Sequence, residues 1–322
     1  MRLARILGAI GRTLITAGTL ILLFVAYQLW GTGIREAQAQ NQLESEFEAR
    51  LAEFEASVET TVVTEPDTTD QTTTTTTIPA PPPPLEGEGI GVIKIPDIGV
   101  EKVVVEGVKL SDLKRGPGHF PDTPFPGNEG NAAIAGHRTT YGAPFHNIDQ
   151  LDPGDEIIVT TLQGEFRYEV MPQPTDQVDD GGNPVTSGHF IVSPSQIEVL
   201  DDFGDNRLTL TACHPKYSAR QRIVVVAELV EEPAPAPPTT TTSPPVQSSP
   251  ERPAEITDLA GEDASAVPAV AWGLAAATVW LVAWLIGRAW RKWPSYLLGL
   301  PVFAVVLFIF FENFSRLLPA SY

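Results

Sequence analysis

The chain has 322 residues and carries 40 Asp and Glu against 21 Lys and Arg, a formal net charge of −19. That balance argues against a nucleic-acid partner, because a phosphate backbone is held by clustered cations and the central sequence has no such cluster. The one cysteine, Cys213, excludes an intramolecular disulfide, and a mean hydropathy near zero averages strongly apolar segments with strongly polar ones.

Residues 1–12 hold Arg2, Arg5 and Arg12 and precede an apolar run from Leu14 to Trp30. The run is long enough to cross a bilayer, so a span is expected over 13–31 with the basic end in the cytoplasm. Ala37-Gln38-Ala39 resembles a signal-peptidase site, but the apolar run is longer than a usual leader core and Arg35 and Glu36 intervene, so an uncleaved anchor is expected. Over 40–60, Leu43, Phe47, Leu51, Phe54 and Val58 recur at spacings of four and three, one apolar stripe on an amphipathic helix. The stripe suits self-association as a short coiled coil, or packing on the domain that follows.

Residues 61–84 and 232–265 are rich in Thr and Pro and cannot bury a core; both read as extended stalks. Between them, 85–231 is a domain-sized unit with its own apolar pattern. Further spans are expected over 266–287 and 295–312, joined by a basic turn, 288–294, that holds Arg288, Arg291 and Lys292. Both basic clusters belong inside, which predicts a multi-pass membrane protein with three crossings and the central domain outside the cell.

That central domain reads as β-rich. Ile90–Ile95 and Val100–Val105 are β-branched runs, and Glu156–Thr161 and Phe166–Met171 flank Gln163-Gly164 as hairpin arms. Asn206–Cys213 and Arg222–Val230 are strand-like too. Helical pattern is scarce, which favours a closed antiparallel barrel with small helices over an α/β layer.

The stretch Arg207 to Val226, RLTLTACHPKYSARQRIVVV, carries the chemistry. A strand ends at Cys213, a Pro-containing loop follows, and a second strand starts at Arg222. A thiol at a strand end is held rigidly yet reaches the surface, and an arginine opening the neighbouring strand can stabilise a developing oxyanion. A cysteine nucleophile also needs an acid/base partner. His137, in NAAIAGHRTTYGAPF, sits where a small-residue strand runs into a polar loop. His214 adjoins Cys213 but points to the opposite face, because strand side chains alternate. His119, in RGPGHFPDT, suits a lining role, and His146 and His189 read as ordinary packing residues.

TLTACHPKYSARQR followed by IVVV resembles the sortase signature Thr-Leu-x-Thr-Cys with an Arg before the next strand, and AIAGHRTTYGAPF resembles the sortase histidine segment. With RGPGHFPDT upstream, the pattern covers about Gly89 to Val230 and is most similar to the class E sortases of actinobacteria. The resemblance implies an eight-stranded sortase-type β-barrel and a cysteine transpeptidase with Cys213 as nucleophile, His137 as general acid/base and Arg222 as the positioning cation. Arg220 is the competing arginine. His119, Thr211, Ala212 and Tyr141 are expected to line the substrate site. Ala212 departs from the family, which usually has Thr there, and the missing hydroxyl bears on substrate preference.

The partners implied are secreted proteins with a C-terminal sorting signal of Leu-Ala-x-Thr-Gly or Leu-Pro-x-Thr-Gly type, a peptidoglycan-precursor amine and the lipid bilayer. No cofactor or metal is expected: Asp179-Asp180 and Asp201-Asp202 lack ligand spacing. Two other readings compete. A peptidoglycan L,D-transpeptidase usually has an SxGCxR-like segment, absent here. A catalytically silent sortase-like surface or assembly module is kept open by Ala212 and the C-terminal membrane hairpin.

Overall fold

The computed structural model describes residues 2–57, 81–178, 184–234, 265–289, 292–315 and 317. Most of the two Thr/Pro stalks lies outside the described residues, as do Val58, Asp179, Asp180, Arg291 and Arg316. The chain forms two compact units, one of Met1–Ile34 with Ala260–Ser321 and one of Arg35–Leu259.

The larger unit is built on β-strands. After helices α1 (Arg2–Ala26) and α2 (Thr32–Ser57), the β-branched runs form β1 (Gly89–Ile95) and β2 (Val100–Glu106). One turn of helix, α3 (Leu110–Leu113), leads to the two-residue β3 (Gly118–His119) and to β4 (Asn131–Ala135). The hairpin read around Gln163-Gly164 is β5 (Glu156–Thr161) and β6 (Gly164–Val170). A separate two-stranded ribbon follows, β7 (Gln173–Val178) with β8 (Pro184–Ser187), and then β9 (Phe190–Val192), β10 (Arg207–His214) and β11 (Gln221–Leu229).

Strands β10, β4, β3, β2, β1, β5, β6 and β11 are hydrogen-bonded in that order, and β11 pairs back onto β10. The sheet therefore closes into an eight-stranded barrel, with β9 added on the outside of the ring against β11. The barrel is mixed rather than wholly antiparallel: β2 runs parallel to β3, and β4 parallel to β10. Parallel neighbours need a long crossover, and everything from β5 to β9 lies between β4 and β10.

Alternation sorts the strand residues into two faces. Ile93, Ile95, Ile134, Ile157, Val159, Tyr168, Leu208, Leu210, Ile223 and Val225 fill the interior. The outer faces are also covered. Ala133 and Ala135 pack with Leu113, Phe120 and the 3-10 turn Ile197–Leu200, while Val224 and Val226 pack with Val192.

The stripe on α2 packs on the barrel. Leu43 is fully buried against Val103 and Val105 on the outer face of β2, and Phe47 and Phe54 are buried along the same helix. Arg50 donates to Gly89 O at 2.8 Å and pairs with Glu88 at 3.0 Å. This corrects the coiled-coil expectation. The apolar face that would zip two chains together is already covered, so self-association through 40–60 loses its basis.

In the smaller unit, α1 and the later helices α4 (Val267–Ala289) and α5 (Lys292–Ser315) expose large apolar side chains such as Leu14, Ile15, Leu22, Val270, Leu274 and Trp280. Among the described residues two helices, Ile10–Ser57 and Val267–Arg288, contain stretches long and apolar enough to cross a membrane, whereas the third apolar stretch, Gly299–Ser315, is shorter. Tyr27, in the π-helical turn Tyr27–Gly31, packs on Leu307 and Phe311 and donates to Glu312 Oε2 at 2.5 Å.

Because Leu43 is fully buried, Leu43→Ala should destabilise the barrel unit by about 3 kcal/mol, the usual cost of such a truncation. Amide hydrogen exchange in β2 and β10 of the full chain reads that loss as faster exchange; unchanged exchange would mean that α2 does not pack there.

Candidate active site

Strand β4 carries small residues, Ala132, Ala133 and Ala135, which let it sit between β3 and β10 with covered faces on both sides. Its parallel register with β10 runs to Ala135 opposite Thr211, and Gly136 N then donates to Thr211 O at 3.0 Å. Two positions further along each strand stand His137 and Cys213. Parallel pairing thus puts the histidine and the cysteine at the same rim and the same level. Across the antiparallel pair of β10 and β11, the residue opposite Cys213 is Arg222. The register therefore brings all three expected catalytic residues to one rim, Cys213 and Arg222 on β10 and β11 and His137 in the loop just past the end of β4.

Leu208, Leu210 and Ala212 of β10 and Ile223 and Val225 of β11 point into the barrel. Thr209, Thr211 and Cys213 consequently share the outer face with Arg222 and Val224. Arg222 is 2 % exposed, and its Nη1 donates to the carbonyls of Ala219 and Gln221 at 3.0 Å each, which fixes the guanidinium beside the thiol. Arg220 is exposed.

His137 is 5 % exposed, and its ring lies on that of Tyr141 with centroids 5.2 Å apart. Its backbone carbonyl accepts from Phe145 N at 3.1 Å, closing the loop that follows. Its Nε2 is buried and makes no hydrogen bond among the described residues. A buried ring nitrogen without a partner is costly in a purely structural histidine, and is the atom an acid/base residue keeps available.

Burial is also the main cause of the electrostatic state. It pushes the His137 imidazole down to about 4, with the nearby Lys114 ammonium adding to the effect. It pushes the Cys213 thiol up, against the opposing pull of Arg222 and then Arg138. At neutral pH both groups are accordingly uncharged: a protonated thiol beside a neutral imidazole.

Arg138 is a site residue that reading the sequence missed. It is 2 % exposed, and its guanidinium donates to Cys213 O at 3.4 Å and to His214 Nδ1 at 3.1 Å and pairs with Asp149 at 2.9 Å. Its own carbonyl accepts from His146 Nδ1 at 2.8 Å. Arg138 ties the loop bearing His137 to the strand bearing Cys213, and its place next to His137 in the sequence was the available signal. The His214 Nδ1 atom is engaged with Arg138.

The lining residues divide. Tyr141 packs on His137, and Thr211 lies on the outer face two residues before Cys213. Ala212 requires a correction: it is 2 % exposed in the barrel core, on the face opposite Cys213. A threonine hydroxyl there would point into the barrel, so the departure concerns packing rather than the thiol's surroundings. His119 is also corrected. It is fully buried beside Ile134, with Nδ1 2.9 Å from Glu106 Oε2, Nε2 2.9 Å from Pro124 O, and its ring stacked on Phe125 at 4.9 Å. Both nitrogens are committed to protein partners. Among the described residues no group of three or more His, Cys, Asp or Glu could hold a metal ion.

Residues 93–230 match the family model described as the sortase domain. Sortase SrtE1 of Streptomyces coelicolor is 33% identical over 239 residues, 70% of this chain and 57% of that protein. The chain belongs to the sortase family. Sortase SrtE2 of the same organism is 28% identical over 244 residues, covering 70% of this chain and 83% of its own length. A solved structure of sortase E from Streptomyces avermitilis is 31% identical, with a TM-score of 0.36, covering 46% of this chain and 91% of that one. The chain thus spans a little over half the length of SrtE1. The family is one of cysteine transpeptidases, and the match contains Cys213, His137 and Arg222.

The depressed His137 pKa couples the sortase barrel's stability to pH. The folded imidazole resists protonation down to about 4, whereas the unfolded one accepts a proton near 6.5. Stability is therefore full above the unfolded value and is lost as pH falls from there towards 4, by about 3 kcal/mol from this residue. His137→Gln should lose less stability than the parent over that window, as read by hydrogen exchange of β10 amides; an equal acid loss in both would show that His137 is not buried neutral.

Proposed function

We propose that the protein is a membrane-anchored sortase that works outside the cell, cutting a C-terminal sorting signal of Leu-Ala-x-Thr-Gly or Leu-Pro-x-Thr-Gly type between Thr and Gly and joining the Thr carbonyl to a cell-wall amine. The observation that carries this reading is the juxtaposition of Cys213 with a buried His137 whose Nε2 has no hydrogen-bond partner among the described residues and with the buried cation Arg222. The apolar helices and the basic clusters on either side of the central domain support a topology of three spans with the N-terminus inside.

The chemistry begins from the uncharged pair. As Cys213 Sγ attacks the Thr carbonyl, its proton passes to His137 Nε2, and Arg222 stabilises the charge that builds on the carbonyl oxygen. The Thr–Gly bond breaks, and His137 gives the proton to the departing glycine amine. The thioester that remains is attacked by the acceptor amine, whose proton passes to His137 and then to the departing Cys213 thiolate. No water is consumed and the product is an amide. Burial suits this sequence, because a dry site protects the thioester from hydrolysis and strengthens the Arg222 interaction.

Incubation of the full chain in detergent with a Leu-Ala-x-Thr-Gly peptide and an amine should give a mass adduct on Cys213 and release the glycine fragment. Cys213→Ala should abolish both. Cleavage retained by that variant would overturn the assignment, and loss of the adduct in His137→Ala would support it.

A further inference from the structure

Two polar residues at the start of α2 lie outside the apolar stripe read from the sequence, yet both are buried on the barrel. Glu36 is 2 % exposed and Gln40 is 8 % exposed. They stand four residues apart and so share one face of the helix. We propose that Glu36 and Gln40 are positioning residues for His137: they brace the two loops that bring Lys114 and Tyr141 over the imidazole. The proposal rests on His137 being the acid/base of the sortase reaction.

The first loop leaves α3. Gln40 accepts from Val103 N at 2.8 Å and donates to Val103 O at 3.1 Å, pairing with β2 where the two-residue β3 is too short to do so. The same amide donates to Arg115 O at 2.8 Å, the residue after Lys114. Gly116 next to it has no room for a side chain, since a Cβ there would lie 2.3 Å from Gln40 Nε2. The loop that ends α3 is therefore shaped around Gln40.

The second loop carries Tyr141. Tyr141, Gly142 and Ala143 have φ of 50°, 74° and 42°, three successive residues in the left-handed region. Two of them are not glycine, so the loop holds backbone strain that its surroundings must enforce. Glu36 is that surrounding: a Cβ on Gly142 would lie 2.4 Å from its Oε2, and Lys102 Nζ fixes the carboxylate at 2.7 Å. The two loops meet at the base. Lys114 Nζ lies 5.6 Å from the centre of the Tyr141 ring, which in turn packs on His137.

The charged and titratable groups around this assembly act in known directions. Lys114 lowers the basicity of His137, and Cys213 and Arg222 face it from β10 and β11. Lys102 is the cation on Glu36. Arg138, paired with Asp149, which Lys216 also approaches, acts on Cys213. Loosening either brace lets Lys114 and Tyr141 move away and water reach the ring, so the imidazole regains basicity.

The test uses the full chain in detergent and two readouts: the pH profile of Leu-Ala-x-Thr-Gly peptide cleavage and the pH profile of Cys213 alkylation by iodoacetamide. Glu36→Ala and Gln40→Ala should each lower kcat about tenfold with little change in KM, as a modest misplacement of a catalytic group does. The acid limb of both profiles should move up by about one pH unit, towards an ordinary histidine. Glu36→Gln, which keeps the brace's shape, should restore the parent profile. Phe54→Ala, which loosens the far end of the same helix, should leave both profiles in place. Unmoved profiles in Glu36→Ala and Gln40→Ala, or an equal shift in Phe54→Ala, would overturn the proposal. A parent profile that is itself indifferent to His137→Ala would overturn the sortase mechanism instead, and so the two failures are distinguishable.

Discussion

The parallel pairing of β4 with β10 is the constraint on which the site depends. In an antiparallel pair the C-terminal ends of the two strands lie at opposite rims, and a histidine following one could not meet a cysteine ending the other. Parallel register, from Asn131 opposite Arg207 to Ala135 opposite Thr211, brings both exits to one rim. The antiparallel return of β11 then sets Arg222 beside Cys213 at no further topological cost. Closure of the barrel makes this register hard to shift. A slip of one residue on β10 would turn Leu208, Leu210 and Ala212 out of the core and Cys213 into it.

The same packing sets the chemistry. A buried imidazole and a buried thiol each favour their neutral forms. Two buried guanidiniums flank the thiol. Arg222 faces the thiol from the neighbouring strand, while Arg138 holds the nucleophile strand to the base loop and is itself neutralised by Asp149. Burying cations in this way is costly unless their donors are satisfied, and backbone carbonyls of Cys213, Ala219 and Gln221 supply much of what is needed.

Much of the barrel was legible because a strand announces itself. β-branched runs between Gly and Pro clusters located β1, β2, β10 and β11 to within a residue or two, and the hairpin of β5 and β6 followed from its turn. Cys213, His137 and Arg222 stood out because each lies at or just beyond a strand end. Strand direction was not legible: the partner of β4 arrives only after five further strands, and periodicity carries no record of pairing at that distance. Glu36 and Gln40 escaped notice because a polar residue on a helix looks solvated, and their burial comes from the loops they meet. Ala212 and His119 were misplaced for a different reason. Nearness in sequence to the nucleophile or to a loop does not fix which way a side chain faces, and strand alternation turns Ala212 inward.

The most direct measurement exploits the single native thiol. If β4 and β10 end side by side, His137→Cys places a second sulfur beside Cys213 within disulfide reach. Mild oxidation of the full-length variant should then yield a monomer lighter by two hydrogens, resistant to alkylation until reduced. Two thiols that stay alkylatable under oxidation, or that form only intermolecular bridges, would contradict the register and with it the account of the site.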